Sequence, residues 1–496
     1  MVASGSARAA AGESAVPPVP GWPGLAYPEG FLMAFGDVLQ RFVTEAPWCV
    51  LARGLLESAF APDKLDALFE AHADKQQTRT LLFSTAVDIM AWVVCRVRRS
   101  VNAACHHLHQ HGALPVSVDA VYDKLDRVET QTSRALVRHA AREVNAVLEQ
   151  LRAQPLTLLA GYDLRIIDGN HPASTQRRLG ILRDHPAAAL PGVVVAVLNP
   201  QNRLIEDVVL SEDGHAQECT LLEPIVETIR ARQLWLADRH YCTSHFLFAL
   251  ARRGAFFLVR QHGGHLRWRP AGERRYCGRT DTGAVYEQGV VLTDPATGEE
   301  RTVRRLTVAL DKPTRDGDTE VHLLSNVPAA DATALVLAVL YLERWQLETA
   351  FQTLTVHLHC EPNTLGYPKA ALFAFSVAVA CYNLLGAMLG AVRVVHGAEE
   401  EEKVSSHAVA EELAGTYRGL DIAVPDAEWD VFRAADAATL ARLLQEIVGQ
   451  MPVAHYHKYP SRPKRGPKKA KERAPRKHVS THRLLNPDRY KGNVDT

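Results

Sequence analysis

The sequence has eight cysteines in 496 residues, and no two of them form a CxxC pair. Cys49, Cys95, Cys105, Cys219, Cys242, Cys277, Cys360 and Cys381 follow no framework spacing, which argues against a disulfide scaffold and predicts reduced, buried thiols. No basic segment leads into an apolar core near Met1, so no signal peptide is expected and the chain reads as cytoplasmic. There is no internal repeat. One run, Ala370–Val392, is apolar enough to raise the question of a membrane span. Ser376, Asn383 and two glycines inside it instead predict a buried core helix. Net charge is also absent, with 56 basic and 56 acidic residues, but the balance is uneven. From Met451 to Thr496 there are 13 Lys and Arg against 3 acidic residues, whereas the rest carries 43 against 53. That split predicts a polyanion-binding tail on a mildly acidic body. What remains is ordinary globular composition, 47% hydrophobic and 23% charged. The length suits roughly two to four domains.

Residues 1–30, rich in Ala, Gly, Ser and Pro, have little to bury and are expected to be disordered. Residues 31–155 read as helical: a long helix over Phe83–His109, a second from Ser117 to Leu125 capped by Ser117 or Asp119, and a third over Gln131–Leu151. Arg134, Arg138 and Arg142 form a stripe on the third helix, suited to a duplex backbone or simply to solvent. At Tyr162 the hydrophobic period changes from helical to alternating. Strands are expected at Leu164–Asp168, Gly192–Leu198 and Leu204–Leu210, the last two joined by a turn at Asn199–Asn202. A helix over His215–Arg232, a strand at Leu234–Asp238, a helix over Thr243–Arg252 and a strand at Ala255–Arg260 follow. This order predicts an α/β core with a mixed sheet, antiparallel at first and parallel later. The domain reading is a core of 156–261 and 329–395 interrupted by a β-rich insertion, 262–328. A helical region, 396–450, and the basic tail, 451–496, follow it. Glu399–Glu402 reads as an exposed acidic run, and Asp430–Gly449 as the last helix.

The chemistry gathers around Tyr341–Leu358, part of an amphipathic helix that opens no later than Asp331. Leu340, Leu347, Phe351 and Leu354 give it a buried stripe, and Tyr341, Arg344 and Glu348 emerge together beside that stripe. A guanidinium can hold a phosphate bidentately, and a carboxylate can take a hard divalent cation. Two expected strands end in Asp168 and Asp238, at the carboxyl edge where α/β sheets collect ligands. If those strands are neighbours, both carboxylates reach one cation and Glu348 adds a third oxygen. A pair of such ions activates a water and steadies the leaving oxygen of a phosphodiester. Asp163, Asp184 and Asp207 read as surface or turn residues, and His171 and His240 as exposed loop histidines. His106, His107 and His109 lack the partners of a zinc site. Trp268 suits either packing or stacking on an unpaired base. Lys464, Arg465, Lys468 and Lys469 suit phosphate neutralisation without sequence specificity.

IDGN at Ile167–Asn170, ADRHY at Ala237–Tyr241 and Y-x2-R-x3-E at Tyr341–Glu348 together resemble a DDE transposase of the insertion-sequence-four group. The resemblance covers about Tyr162 to Leu389 and implies a ribonuclease-H-like core with a β-rich insertion between the second Asp and the Glu. It implies Asp168, Asp238 and Glu348 as a catalytic triad holding two Mg²⁺ or Mn²⁺ ions, with Tyr341 and Arg344 on phosphates near the cleaved end. It also implies terminal inverted repeats and target DNA as partners, a homodimer in the synaptic complex, hairpin-ended cut-and-paste transfer and nucleoid association when bound. The signature lysine of that group falls seven residues after Glu348, where this chain has Thr355. A ribonuclease-H-like nuclease without strand transfer, or a non-catalytic DNA-binding relative, are the competing expectations.

Overall fold

The computed structural model describes residues 35–76, 80–153, 155–172, 179–183, 188–262, 264, 266–314, 317–362, 364–459 and 478–490. The expected disorder of residues 1–30 and the basic stretch with Lys464, Arg465, Lys468 and Lys469 lie outside these, as does Asp184.

Among the described residues, seven helices precede the first strand: α1 (Asp37–Glu45), α2 (Pro47–Ala59), α3 (Pro62–His72), α4 (Phe83–Val94), α5 (Val101–Gln110), α6 (Val118–Leu125) and α7 (Thr130–Gln150). Pro47 and Pro62 open α2 and α3, where a missing N–H costs nothing. Ser117 caps α6 by accepting the Ala120 N–H at 3.2 Å. The single helix expected over Phe83–His109 is in fact two. Arg96 adopts φ 61°, a left-handed conformation that ends α4 and lets Val101 and Cys105 turn into the core. Along α7 the arginine stripe divides: Arg134 grips Asp207 with Nε at 2.8 Å and Nη2 at 2.6 Å, whereas Arg138 and Arg142 are exposed.

The strands are β1 (Asp163–Asn170), β2 (Ala188–Leu190), β3 (Val193–Asn199), β4 (Leu204–Ser211), β5 (Gln233–Ala237) and β6 (Phe256–Arg260). They continue with β7 (Trp268–Pro270), β8 (Arg275–Thr280), β9 (Gly283–Thr293), β10 (Glu300–Leu310) and β11 (Glu320–Ser325). All but β2 join one ten-stranded sheet in the order β4-β3-β1-β5-β6-β11-β10-β9-β7, with β8 also on β9. As expected, β1, β3 and β4 run antiparallel, and β1, β5 and β6 parallel. The Asn199 side chain closes the β3–β4 hairpin by accepting the Gln201 and Asn202 N–H groups at 3.0 and 3.3 Å. The segment 262–328 does not make a sheet of its own. β11 pairs antiparallel with β6, Ser325 opposite Leu258, so the β-rich strands extend the core sheet.

The short α8 (Gly180–Arg183) follows β1, and α9 (Glu223–Val226) and α10 (Ser244–Arg252) precede β6. The helix expected over His215–Arg232 is only a 3-10 turn at Glu218–Leu221 and the single turn of α9. Pro224 lacks an N–H and suits only a helix start, so it separates the two. The motif helix is likewise segmented into α11 (Ala334–Leu340), a 3-10 turn at Tyr341–Arg344 and α12 (Trp345–Val356). The C-terminal half adds α13 (Pro368–His396), α14 (Ala398–Lys403), α15 (Ser406–Ala423), α16 (Asp430–Arg433) and α17 (Ala437–Gly449). The helix expected over Asp430–Gly449 is therefore two, α17 restarting with Asp436 as its cap at 2.8 Å from Thr439 N. α13 is long and apolar enough to cross a membrane, yet 83% of its most apolar window is buried inside the protein.

The two faces of the sheet bury different partners. Leu164, Ile166, Leu234, Leu236 and Leu258 join the large core under α4, α7, α12 and α13. Ile167, Trp235, Ala237, Phe257 and Val259 pack under α9 and α10. One acidic run departs from its expected role. Glu401 of α14 is buried and held by Arg203 and by Arg393 Nε at 2.8 Å, because two guanidiniums offset the cost of its burial. Last, β12 (His478–Ser480) pairs parallel with β2, and α18 (Thr481–Leu485) follows, with Arg483 forking onto Asp213 at 3.0 Å.

Candidate active site

β1 and β5 lie side by side, and their ladder stops at Ile167 opposite Ala237. The next residues are Asp168 and Asp238, so the two aspartates leave adjacent parallel strands at the same level. β1 itself runs on to Asn170 against β3, with Asp168 opposite Ala196. Strand alternation puts Asp168 on the face of Leu164 and Ile166, and Asp238 on the face of Leu234 and Leu236. That is the face α12 covers through Leu347, Ala350 and Leu354.

From α12 and the 3-10 turn before it come the other three groups. Arg344 Nη1 donates to Asp168 Oδ2 at 2.9 Å and Nη2 to Glu348 Oε1 at 2.7 Å, so one guanidinium bridges the two carboxylates. The tighter 3-10 turn places Tyr341 and Arg344 on one line, and the following α-helical turn adds Glu348. Tyr341 Oη donates to the Ala237 carbonyl at 3.3 Å, anchoring the helix to the end of β5. Asp238 caps the 3-10 turn Arg239–Tyr241, accepting the His240 N–H at 2.6 Å.

Charge at the site is unevenly compensated. Burial pushes the Asp168 carboxyl up to about 6; Arg344 opposes the rise, and Asp238 and Glu218 add to it. Burial opposes the Arg344 charge, but the Asp168 and Glu348 carboxylates hold its pKa above the ordinary value. Burial raises the Tyr341 phenol, keeping it a neutral donor. Hard carboxylate oxygens in partly desolvated surroundings are the donor chemistry a divalent cation takes, and in that respect the residues fit one. As the side chains stand, no group of three His, Cys, Asp or Glu among the described residues converges on a single point. Arg344 occupies the space between Asp168 and Glu348.

Three residues at this edge carry more than the sequence suggests. Glu218 packs against Gly169 and accepts from Tyr241 Oη at 2.9 Å. His171 and His240 are exposed, as expected, yet His171 Nε2 lies 3.6 Å from Glu218 and His240 Nδ1 lies 3.3 Å from Asp238 Oδ1. Burial works against the Glu218 charge, but hydrogen bonds from His171 and Tyr241 hold its pKa below the carboxylate range. Glu218 sits in a stretch with helical periodicity, so nothing local marked it. A buried aromatic with a hydroxyl, Tyr241, was the one hint that a buried acceptor stood nearby.

Other candidates fall away from the cluster. Trp268 lies on the edge strand β7, 38% exposed, with the Arg305 guanidinium 5.0 Å from its ring centroid. Asp207 is spent on Arg134 and Asp163 on Arg165. Thr355 donates back to the Phe351 carbonyl at 2.9 Å, whereas Arg96 Nη2 reaches the same end of α12 through the Val356 carbonyl at 3.3 Å.

Residues 162–384 match a family model described as a transposase DDE domain. No match to the chain is found among curated proteins. The matched span covers just under half of the chain, from the residue before β1 into α13, and includes Asp168, Asp238, Arg344 and Glu348. It supports a DDE transposase, an enzyme whose partner is DNA.

Proposed function

We propose that the chain is a cut-and-paste transposase of the insertion-sequence-four type, acting on the ends of its own element through Asp168, Asp238 and Glu348. The observation that carries this reading is the arrangement of Asp168 and Asp238. They follow paired positions of two parallel strands, on the one face where Arg344 and Glu348 arrive. Asp168, Asp238 and Glu348 would hold two Mg²⁺ or Mn²⁺ ions, which when bound supply a nucleophilic water and charge neutralisation at the leaving oxygen. The chain's own part is positioning. Arg344, held by Asp168 and Glu348 in the free protein, is the guanidinium that would hold a scissile phosphate bidentately. Tyr341 ties this helix to β5, so the helix-borne and strand-borne groups keep one spacing. α12 covers one side of the site through Leu347, Ala350 and Leu354, while Glu348 stays half exposed at its mouth. The helical region 31–155, the exposed Arg138 and Arg142, Trp268, and Lys464, Arg465, Lys468 and Lys469 are proposed DNA contacts. Hairpin-ended release, a homodimeric synaptic complex and a place on the nucleoid complete the reading. With Thr355 in place of the signature lysine, Arg96 is the cation that could serve that end of α12.

The test is cleavage of a labelled duplex carrying the element's own end, with Mg²⁺, by wild type and by Glu348→Ala and Glu348→Gln. Both variants should lose at least about 100-fold in cleavage rate while binding the duplex as wild type does. Equal cleavage by all three proteins would remove Glu348 from the chemistry.

A further inference from the structure

Glu218 stands behind the two aspartates. Alternation along β1 sends Ile166 and Asp168 to one face of the sheet and Ile167 and Gly169 to the other. Glu218 is on the Gly169 face, since a Cβ built on Gly169 would come within 2.0 Å of its carboxylate. Only glycine lets a carboxylate rest against the β1 backbone there. The same carboxylate accepts from Tyr241 Oη at 2.9 Å and lies 3.6 Å from His171 Nε2. His171 follows β1 directly, and Tyr241 closes the 3-10 turn that Asp238 caps. Glu218 therefore connects the chain just after Asp168 to the chain just after Asp238. The β1–β5 ladder ends one residue short of the aspartates, so its last paired residues are Ile167 and Ala237.

We infer that Glu218 is a positioning residue that sets the Asp168–Asp238 spacing from behind the sheet, through Gly169, His171 and Tyr241. The role rests on the reading of those aspartates as ligands of one cation. Glu218 is not itself a ligand, because its oxygens face Tyr241 and His171 and it lies across the sheet from Glu348.

Mn²⁺ binding to the full chain without DNA, followed by titration calorimetry, tests this apart from catalysis. Asp168→Asn is the reference for a lost ligand. Glu218→Ala should weaken Mn²⁺ about 10–100-fold, the usual effect of removing a group that orients a metal ligand. Glu218→Gln, which still accepts from Tyr241, should recover most of that loss. Tyr241→Phe keeps the buried ring and should weaken Mn²⁺ in the same direction. Combined with Glu218→Ala it should add little, because the two share one interaction. A purely structural role would lower the unfolding temperature of Tyr241→Phe and leave its Mn²⁺ affinity alone. Wild-type Mn²⁺ affinity in both Glu218→Ala and Tyr241→Phe, with Asp168→Asn impaired, overturns the positioning role only. Wild type and Asp168→Asn binding alike would remove the ligand assignment, and the positioning role with it.

Discussion

Asp168 is held between opposing demands, since Arg344 favours its charge while burial and two neighbouring acids resist it. Its folded pKa, about 6, exceeds the ordinary 3.8, so the folded protein holds this proton more tightly than the unfolded chain does. A raised acid costs stability as it ionises: the cost is absent below about pH 4, grows from there, and is complete above about pH 6. Asp168→Asn cannot ionise. Its stability relative to wild type should rise by about 2 kcal/mol between pH 4 and pH 7 in metal-free buffer, as read by urea denaturation at each pH. A difference that does not change with pH would mean that Arg344 fully compensates the carboxylate. At this scale the candidate triad was legible, because an Asp at a strand end and a Glu on an amphipathic helix are local patterns. Glu218 and Glu401 were not, because each needs partners far along the chain: Gly169 and Tyr241 for one, and Arg203 beside the nearer Arg393 for the other.

Among the elements, α13 decides how the sheet ends. β4 is the edge strand, and its ladder with β3 shifts register between Val197 and Leu198. Asn383 of α13 fills that edge: its Oδ1 accepts the Ile205 N–H at 2.8 Å and its Nδ2 donates to the Ile205 carbonyl at 2.9 Å. A buried amide thus stands in for the missing neighbour strand and satisfies both backbone groups. Asn383→Leu, similar in volume, should destabilise the protein by about 2–4 kcal/mol by leaving two buried polar groups without partners. Denaturant titration at neutral pH measures it, and a loss below 0.5 kcal/mol, within the scatter of ordinary surface changes, would disprove the cap. In the sequence Asn383 served only to argue against a membrane span, and its actual work depends on a bulge that no local pattern announces. Strand order fared better, since the period change at Tyr162 and the NPQN turn are local signals. The pairing of β6 with β11 was hidden by the roughly 60 residues between them, as was the break at Arg96, where a left-handed arginine has no sequence signature.

For the molecule as a whole, the sheet brings the candidate site and a late return of the chain to one edge. Asn170 pairs with Val194 and Val193 with Ser211, so the carboxyl edge of β1 is also where β4 finishes. Asp213 and Gly214 lie just past that point. There the chain that follows the basic stretch returns to the body: Arg483 takes Asp213, and Gly214 N donates to Ser480 Oγ at 3.0 Å. On the other side of the stretch, Lys458 N bonds the Lys403 carbonyl at 2.7 Å. The basic residues expected as a free tail are thus flanked by described segments that are both attached to the body.

That return contact makes the C-terminal segment a ligand of the rest of the protein, attached by a covalent link that can be cut. With a protease site placed between 461 and 477, cleavage turns an intramolecular contact into an association governed by mass action. The nicked protein should keep the fragment containing β12 and α18 when concentrated and release it on dilution, as size-exclusion chromatography at two loading concentrations would show. Arg483→Ala should shift the release to higher protein concentration by roughly 10-fold or more, the scale of one partly buried forked ion pair. Retention of the fragment at every dilution in both proteins would mean that the fork adds nothing to the hold.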